Sequence, residues 1–323
     1  MREPCTQICS MPLSPDWATE SCSPTILIVS DQPDWHSRQM EAAFAALGAR
    51  VTRIDLAACD FDSQSPTGIV LPHLESRLPA AVHVRTLSAG TFEAITKRLS
   101  VLHALADLGV VVWNDAPAIE RCVDKSMTSF LLARAGLPTP PTWTMESADA
   151  ARALVEREVS RGPLVLKPLF GAQGKGLRLI VRLDDLPPPD AVAGVYYLQR
   201  FQAAREGDFR DYRLFVVRGR VVATMMRRAD TWVTNVKQGG RPFAIAPDAA
   251  MARLAVAAAG TVGAAIAGVD LLVGADGEPT VLEVNSMPAW KGLQKVTAHN
   301  IAATIAASLM DELARGPAKR CVQ

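Results

Sequence analysis

Residues 268–285 read GVDLLVGADGEPTVLEVN, two apolar runs that meet at Asp276 and Gly277. Asp-Gly is a favoured pair for a two-residue type I′ turn, so the segment folds back on itself as a β-hairpin. That turn sets Ala275 against Glu278, Val273 against Thr280, Leu271 against Leu282 and Asp270 against Glu283. Directly opposed residues have Cβ atoms roughly 4.5–5.5 Å apart, a distance at which two like charges destabilise a sheet. Asn285 lies two residues beyond Glu283 and shares its face. Two carboxylates and an amide oxygen flanked by Val and Leu call for a cation, and an all-oxygen set suits Mg²⁺ or Mn²⁺ better than zinc. The competing reading is a looser turn that lets the carboxylates diverge into solvent, or an arginine that holds one of them.

A second feature lies about a hundred residues upstream. Val165-Leu-Lys167-Pro168 runs into Gly171-Ala-Gln173-Gly174-Lys175-Gly176. No Gly-Lys-Ser/Thr opens a helix here, so this is not a Walker A loop. Three glycines and a lysine in six residues suit a hairpin whose backbone N–H groups close over phosphates, or else a plain glycine-rich turn. Lys167 ends an apolar strand, a costly place for an ammonium unless an anion neutralises it. Between 205 and 240 lies a polar set: Arg205, Glu206, Asp208, Arg210, Asp211, Arg213, Arg227, Arg228, Asn235 and Lys237. Several guanidinium groups converging on one cleft make a fork for phosphate or carboxylate oxygens. For Arg205 and Arg210 a solvated surface position is the simpler reading.

Around these features the chain alternates strands and helices. Residues 25–30 read as a buried strand, and a helix from Asp34 stops at Gly48. Strands follow at 50–54, 81–85 and 110–113, with a helix over 91–108. Alternation of this kind makes residues 24–120 a small parallel α/β domain. The missing G-x-G-x-x-G after the first strand counts against a dinucleotide site. Asp124 caps a helix that ends at Ala135, before Gly136, and the Pro-rich residues 138–141 form a hinge. Beyond it, strands at 164–167, 176–181, 195–199, 212–217 and 221–226 point to antiparallel sheet, with a turn at Arg218-Gly219-Arg220. Helices over 247–265 and 300–313 complete the pattern.

The 323 residues suggest two domains, taking roughly 150 residues as one. A hydrophobic fraction of 49% with 21% charged residues excludes disorder for most of the length. Lys plus Arg number 34 against 33 acidic residues, and a net charge of +1 speaks against nucleic acid as a partner. The six cysteines include no C-x-x-C pair, which argues for reduced thiols in a cytoplasmic protein. Residues 1–23 read as a flexible tail without a secretory core, and 317–323 as a second tail. The uncharged run 254–269 falls short of the ~20 residues that span a bilayer, so no membrane association is expected. His36, His73, His83, His103 and His299 show no metal spacing, and His36, His103 and His299 read as helix-surface residues.

Taken in order, Asp124-Lys125, Lys167, the glycine loop, Gln199-Arg200-Phe201-Gln202, Asp211-Tyr-Arg213, Arg227-Arg228, Asn235, Asp270 and Glu283-Val-Asn285 closely resemble the ATP-grasp superfamily, and within it the RimK-type amino-acid ligases. The resemblance covers about residues 80–312. It implies an α/β plus α+β architecture: an N-terminal pre-ATP-grasp (Rossmann-like) α/β domain at 24–120, a small lid subdomain at 121–198 and a C-terminal subdomain at 199–316. It also implies ATP as cofactor. Lys125 and Lys167 would reach its phosphates, and the loop from Gly171 through Gln173 and Gly174 to Gly176 would close over them. The backbone of Gln199, Arg200, Phe201 and Gln202 would bracket adenine, Asp211 would hold the ribose, and Arg213, Arg227 and Asn235 would face the phosphates. Asp270, Glu283 and Asn285 would bind two Mg²⁺ ions. Arg213 or Arg227 would stabilise the tetrahedral adduct as catalytic residue.

The implied reaction is an ATP-dependent carboxylate–amine ligation through an acyl phosphate. The run Asn285-Ser-Met-Pro-Ala-Trp290 is similar to the branch associated with tetrahydromethanopterin-type cofactors, which adds L-glutamate to a small-molecule acceptor. A protein or peptide C-terminus as acceptor, and a nucleotide-binding protein without ligase activity, are the alternatives. The family leaves a homo-oligomer open. Two departures stand out: Arg200 replaces a usual Glu, and Met287-Pro288-Ala289 replaces Ser-Pro-Gly. Trp290 then stacks on a planar ring of the acceptor or packs in a core, and Arg85 and Asn114 sit by analogy where the acceptor or amino acid binds.

Overall fold

In the computed structural model of the chain, the residues described are 23–75, 77–171, 174–202, 208–246, 248–274 and 277–316. Gln173, Arg205, Glu206 and both tails apart from Ser23 lie outside them. Strands β1 (Thr25–Val29), β2 (Arg50–Ile54), a two-residue pair β3 (Asp60–Phe61) and β4 (Ile69–Val70), β5 (Ala81–Val84) and β6 (Val111–Trp113) alternate with helices α1 (Trp35–Ala46) and α2 (Phe92–Asp107). The main sheet runs β2-β1-β5-β6, all parallel. Period-two side chains of β1 explain its burial on both sides. Ile26 and Ile28 pack with Met40 and Phe44 of α1, whereas Leu27 and Val29 pack with Val101, Leu102 and Leu105 of α2.

After α3 (Ala116–Val123) and α4 (Lys125–Arg134), the chain builds a four-stranded antiparallel sheet, β7-β10-β8-β9, from β7 (Thr142–Met145), β8 (Leu164–Lys167), β9 (Arg178–Ile180) and β10 (Tyr196–Arg200), with α5 (Ala148–Val159) on one face. The capped helix α4, expected with this unit, instead buries Leu132 in the core beneath the C-terminal sheet. The Pro-rich segment before β7 is pinned rather than loose, since Val281 N donates to Pro138 O and Arg200 N to Pro141 O, both at 2.8 Å.

The C-terminal unit is a five-stranded antiparallel sheet of order β13-β12-β11-β14-β15. Its strands are β11 (Phe209–Val217), β12 (Arg220–Ala229), β13 (Arg241–Ala244), β14 (Ile266–Val273) and β15 (Pro279–Asn285). Helix α6 (Ala249–Val262) covers one face, and a short α7 (Lys291–Gln294) and α8 (Ile301–Arg315) follow the sheet. Gly263 ends α6 at φ +78°, three residues before β14. The other face is divided. At one end Phe215, Val217, Met225 and Ile266 share a core with α1, α8 and Trp113 of the parallel domain. At the other end the same alternation presents Asp211, Arg213, Arg227 and Asp270.

Both hairpins of this sheet depart from the expected registers in ways that matter. Arg218 (φ +49°) and Gly219 (φ +71°) form a two-residue turn and Arg220 already belongs to β12. A bulge after Phe215 then shifts the register by one, so that Asp211 faces Arg227 rather than Met226. In the β14–β15 hairpin the turn is one residue longer than a type I′ turn. Gly274 N pairs with Glu278 O, Gly277 N donates to Gly274 O, and Gly277 has φ +85°. Leu271 accordingly pairs with Val281 and Val273 with Pro279. A bulge between Asp270 and Leu271 restores the expected register, and Asp270 does face Glu283.

Candidate active site

A cleft of about 1010 Å³, its open mouth included, lies between the four-stranded and five-stranded sheets. Lys125, Lys167, Gly171, Gly174, Gln199, Arg200, Phe201, Gln202, Asp211, Arg227, Asn235, Asp270 and Glu283 all line it. Gly176, Arg213 and Asn285 do not.

The lysines come from the small unit and from the start of α4. Lys167 ends β8, and its Nζ donates to Gln199 Oε1 at 2.6 Å. Lys125 Nζ donates to the carbonyls of Leu169 (3.1 Å) and Gly171 (2.8 Å), which ties the head of the glycine loop to α4. Burial lowers both lysine pKa values, and the Glu283 carboxylate across the cleft opposes that shift. The loop itself folds against the other unit. At Gly174, φ +72°, an added Cβ would sit 2.5 Å from Asn235 Oδ1 and 2.9 Å from Val233 Cγ1. Only glycine permits this approach.

On the opposite wall the charges are paired. Arg213 donates from Nε and Nη2 to the two Asp270 oxygens at 2.7 and 2.6 Å. Arg227 grips Asp211 in the same two-pronged way, with Nε to Oδ1 at 2.7 Å, and its Nη2 also reaches Asp270 Oδ2 at 3.0 Å. Burial disfavours each charge, yet the two arginines hold Asp270 below the usual carboxylate range, and the two carboxylates raise Arg227 above its ordinary value. Register explains the pattern: Arg213 lies directly opposite Asp270 and Asp211 directly opposite Arg227. Arg227, expected to face the phosphates, does line the cleft, while its guanidinium also serves two buried carboxylates. Asp211 has both oxygens on Arg227, and the reading of an arginine on one hairpin carboxylate holds for Asp270.

Glu283 differs, with no hydrogen bond to the described residues. Three N–H donors leave Asp270 about one of its roughly four acceptor positions, Glu283 keeps all of its own, and Asn285 spends Nδ2 on Gly268 O (3.3 Å), keeping its amide oxygen. This all-oxygen set fits a hard divalent cation. Because of the bulge, consecutive residues Leu282 and Glu283 both reach the cleft.

Other expectations need correction. The Arg200 side chain turns away to Glu158 Oε2 (2.6 Å) and to carbonyls at the end of α5, and stacks over Trp143. The backbone N–H of Arg200 is spent on Pro141 O (2.8 Å) and that of Phe201 on Pro163 O (3.0 Å), so neither of these two donors is left for a ligand. Arg210, its side chain 37% exposed, stands at the rim of the cleft and pairs with Asp208 at 3.2 Å. Asn114 is 1% exposed and binds Ile266 and Ser286, which joins the parallel domain to the C-terminal sheet. Trp290 is 2% exposed within the shared core, so it packs rather than stacks on a ligand. His36, expected on a helix surface, is buried against it at 4.6 Å between ring centroids. Trp232, edge to face with Phe201 at 5.9 Å on the cleft, escaped the sequence reading because it sits in no periodic pattern.

Two α+β units facing each other across a cleft of lysines, a glycine loop and opposed carboxylates define the ATP-grasp class of fold, here preceded by a pre-ATP-grasp domain. Residues 122–309 match the RimK-like ATP-grasp domain, and the chain belongs to that family. It is 30% identical over 310 residues to the tetrahydromethanopterin:alpha-L-glutamate ligase of Methanosarcina acetivorans, covering 83% of this chain and 92% of that protein. It is 31% identical over 297 residues to a probable alpha-L-glutamate ligase of Legionella pneumophila, covering 87% and 93%. Among solved structures, the ATP-grasp ligase PsnB complexed with minimal precursor shares the fold at a TM-score of 0.68 and 22% identity, over 90% of this chain and 99% of that one. The protein is an ATP-grasp ligase, an enzyme of amide-bond formation, and ligases of this fold use ATP and Mg²⁺. No helix among the described residues is long and apolar enough to cross a membrane.

Proposed function

We propose that this cytoplasmic ligase joins L-glutamate to a carboxylate of a small, pterin-type acceptor at the expense of ATP. The observation that carries the reading is the opposition, in one cleft, of Lys125 and Lys167 to the Asp270–Glu283 pair. Cationic groups there receive phosphate oxygens, and the carboxylates receive their counter-ions. The two relatives named as glutamate ligases support the choice of amino acid, and the first of them supports the acceptor class.

The acceptor carboxylate attacks the γ-phosphorus of ATP, the bond to the β-phosphate oxygen breaks, and ADP leaves. The glutamate amine then attacks the acyl carbon, and phosphate departs as the amide forms and the amine loses its proton. Lys125 and Lys167 bind the phosphates, the Gly171–Gly176 loop excludes water, and carbonyls of the 199–202 stretch orient the base. Asp270, Glu283 and Asn285 would hold two Mg²⁺, with Mn²⁺ as a substitute, supplying charge neutralisation on the phosphoryl group. Arg227 keeps Asp211 and Asp270 in place, and Arg213, at the edge of the ion-pair cluster, is the residue for the tetrahedral adduct. Preorganised charge and positioning account for the catalysis, and no side chain acts as nucleophile.

The test is incubation with MgATP, isotope-labelled glutamate and a macromolecule-depleted metabolite extract, followed by mass spectrometry and ADP release. A new labelled mass is expected with the wild type and not with Glu283→Ala, a substitution at a partly exposed residue that keeps the fold. Label in the Ala variant would refute the carboxylate assignment. ADP release without label would replace glutamate as the amine.

A further inference from the structure

The loop 286–291, which follows Asn285 directly, is hydrogen-bonded to the N-terminal domain at both of its ends. Asn114 Nδ2 takes the carbonyl of Ser286 at its start. At its end the backbone N–H groups of Trp290 and Lys291 both donate to one atom, Nε2 of His36, at 3.0 and 3.1 Å. Two N–H donors on Nε2 assign the ring proton to Nδ1, which donates to Asp34 Oδ2 at 2.9 Å, with Arg85 Nη2 also standing 3.1 Å from Nδ1. Asp34 is itself paired with Arg85 Nη2 at 3.0 Å, and Arg85 Nη1 reaches the Met287 carbonyl at 3.5 Å. The imidazole is wedged edge-on between Trp35 and Trp290. Burial, followed by the Arg85 charge, lowers its pKa to about 4, so the ring stays the neutral acceptor this arrangement needs.

The loop leads straight back to the reacting groups. Pro288 lies against Gly268, where an added Cβ would come within 2.8 Å of it, and Gly268 pairs with Asn285 two residues from Asp270. A shift of the loop therefore reaches the strand that carries Asp270 first, while Lys167 and the glycine loop stand on the opposite wall of the cleft. We propose that His36 is a positioning residue for the acceptor: by accepting from Trp290 and Lys291 it fixes the loop 286–291 beside the carboxylates. This rests on the ligase reading of the cleft.

The test uses two variants of the full chain. His36→Phe keeps a ring between the tryptophans and removes the acceptor atom. His36→Gln places an amide oxygen near the position of Nε2. Losing an acceptor for the buried Trp290 N–H and the part-buried Lys291 N–H is expected to raise, on the order of tenfold, the amount of metabolite extract needed for half-maximal glutamate incorporation in His36→Phe. Binding of a fluorescent ADP analogue with Mg²⁺ stays unchanged, and His36→Gln returns to within about threefold of the wild type. Equal extract dependence in the Phe variant, a parallel loss of nucleotide binding, or a folded Gln variant no better than Phe would each overturn the proposal. Amide exchange at Trp290 and Lys291 gives a second arm. If the wild type incorporates no glutamate yet binds nucleotide, the substrate reading fails by itself. Faster exchange at these two amides in Phe but not Gln then supports the clamp, and unchanged exchange refutes it.

Discussion

The wall of the cleft formed by β11, β12 and β14 holds Asp211, Arg213, Arg227 and Asp270 as a checkerboard in which every charge already has a partner. The facing wall offers Lys167 with only a neutral amide on its ammonium, and a loop that needs glycine to reach across. The first is fixed by strand register, with Asp211, Arg227 and Asp270 buried to within a few per cent and Arg213 only partly exposed. The second depends on backbone freedom and on a single tether from Lys125. Damage to the one should appear as lost stability, and damage to the other as lost affinity at constant stability.

Arg227→Met is the strongest test. The side chain is 3% exposed, so its removal leaves Asp211 unpaired and Asp270 with Arg213 alone, both inside the protein. Breaking such a buried pair from one side costs about 3–5 kcal/mol. The urea unfolding midpoint should fall accordingly, and a variant as stable as the wild type would show that the checkerboard contributes nothing to the fold. A milder contrast lies at Arg200. Arg200→Glu places a carboxylate beside buried Glu158. A lower midpoint is expected, by less than for Arg227→Met because Arg200 is the more exposed. The exchange double variant Glu158→Arg, Arg200→Glu should recover part of the loss, and no change in nucleotide affinity should accompany either beyond the loss of folded protein.

The same contrast explains what was legible beforehand. Alternating apolar residues and caps such as Asp34 and Asp124 are local signals, and the parallel domain, the hairpins and the opposition of Asp270 to Glu283 followed from them. Register over a whole hairpin is not local. A type I′ turn at Asp276–Gly277 gave the right carboxylate pair only because a longer turn and a bulge cancel, and in β11–β12 a bulge brought Arg227 opposite Asp211 with no mark in the sequence. Helix α5 and strand β7 have ordinary patterns that drew no notice beside the glycine loop. His36, Asn114 and Trp290 form contacts across more than 150 residues of chain, and nothing within a helix or strand announces such a partner.

The smallest predicted effect isolates the second wall. Gly174→Ala asks an L-residue to hold φ +72° and sets its methyl against Asn235 and Val233. The described residues of the loop carry no core side chain, so the unfolding midpoint should barely move. What changes is closure: forcing a side chain into the left-handed region costs about 1–3 kcal/mol, and the loop escapes that cost by staying open. Affinity for a fluorescent ADP analogue with Mg²⁺ should therefore fall about tenfold, the equivalent of ~1.4 kcal/mol. Gly171→Ala serves as the control. Its φ lies outside the left-handed region and its nearest neighbour, Pro168 Cβ, stands at 3.2 Å, so it should lose less. If both variants bound as the wild type does, the approach of the loop to 233–235 would have no part in holding the nucleotide, and only the lysines would remain to distinguish this wall from its partner.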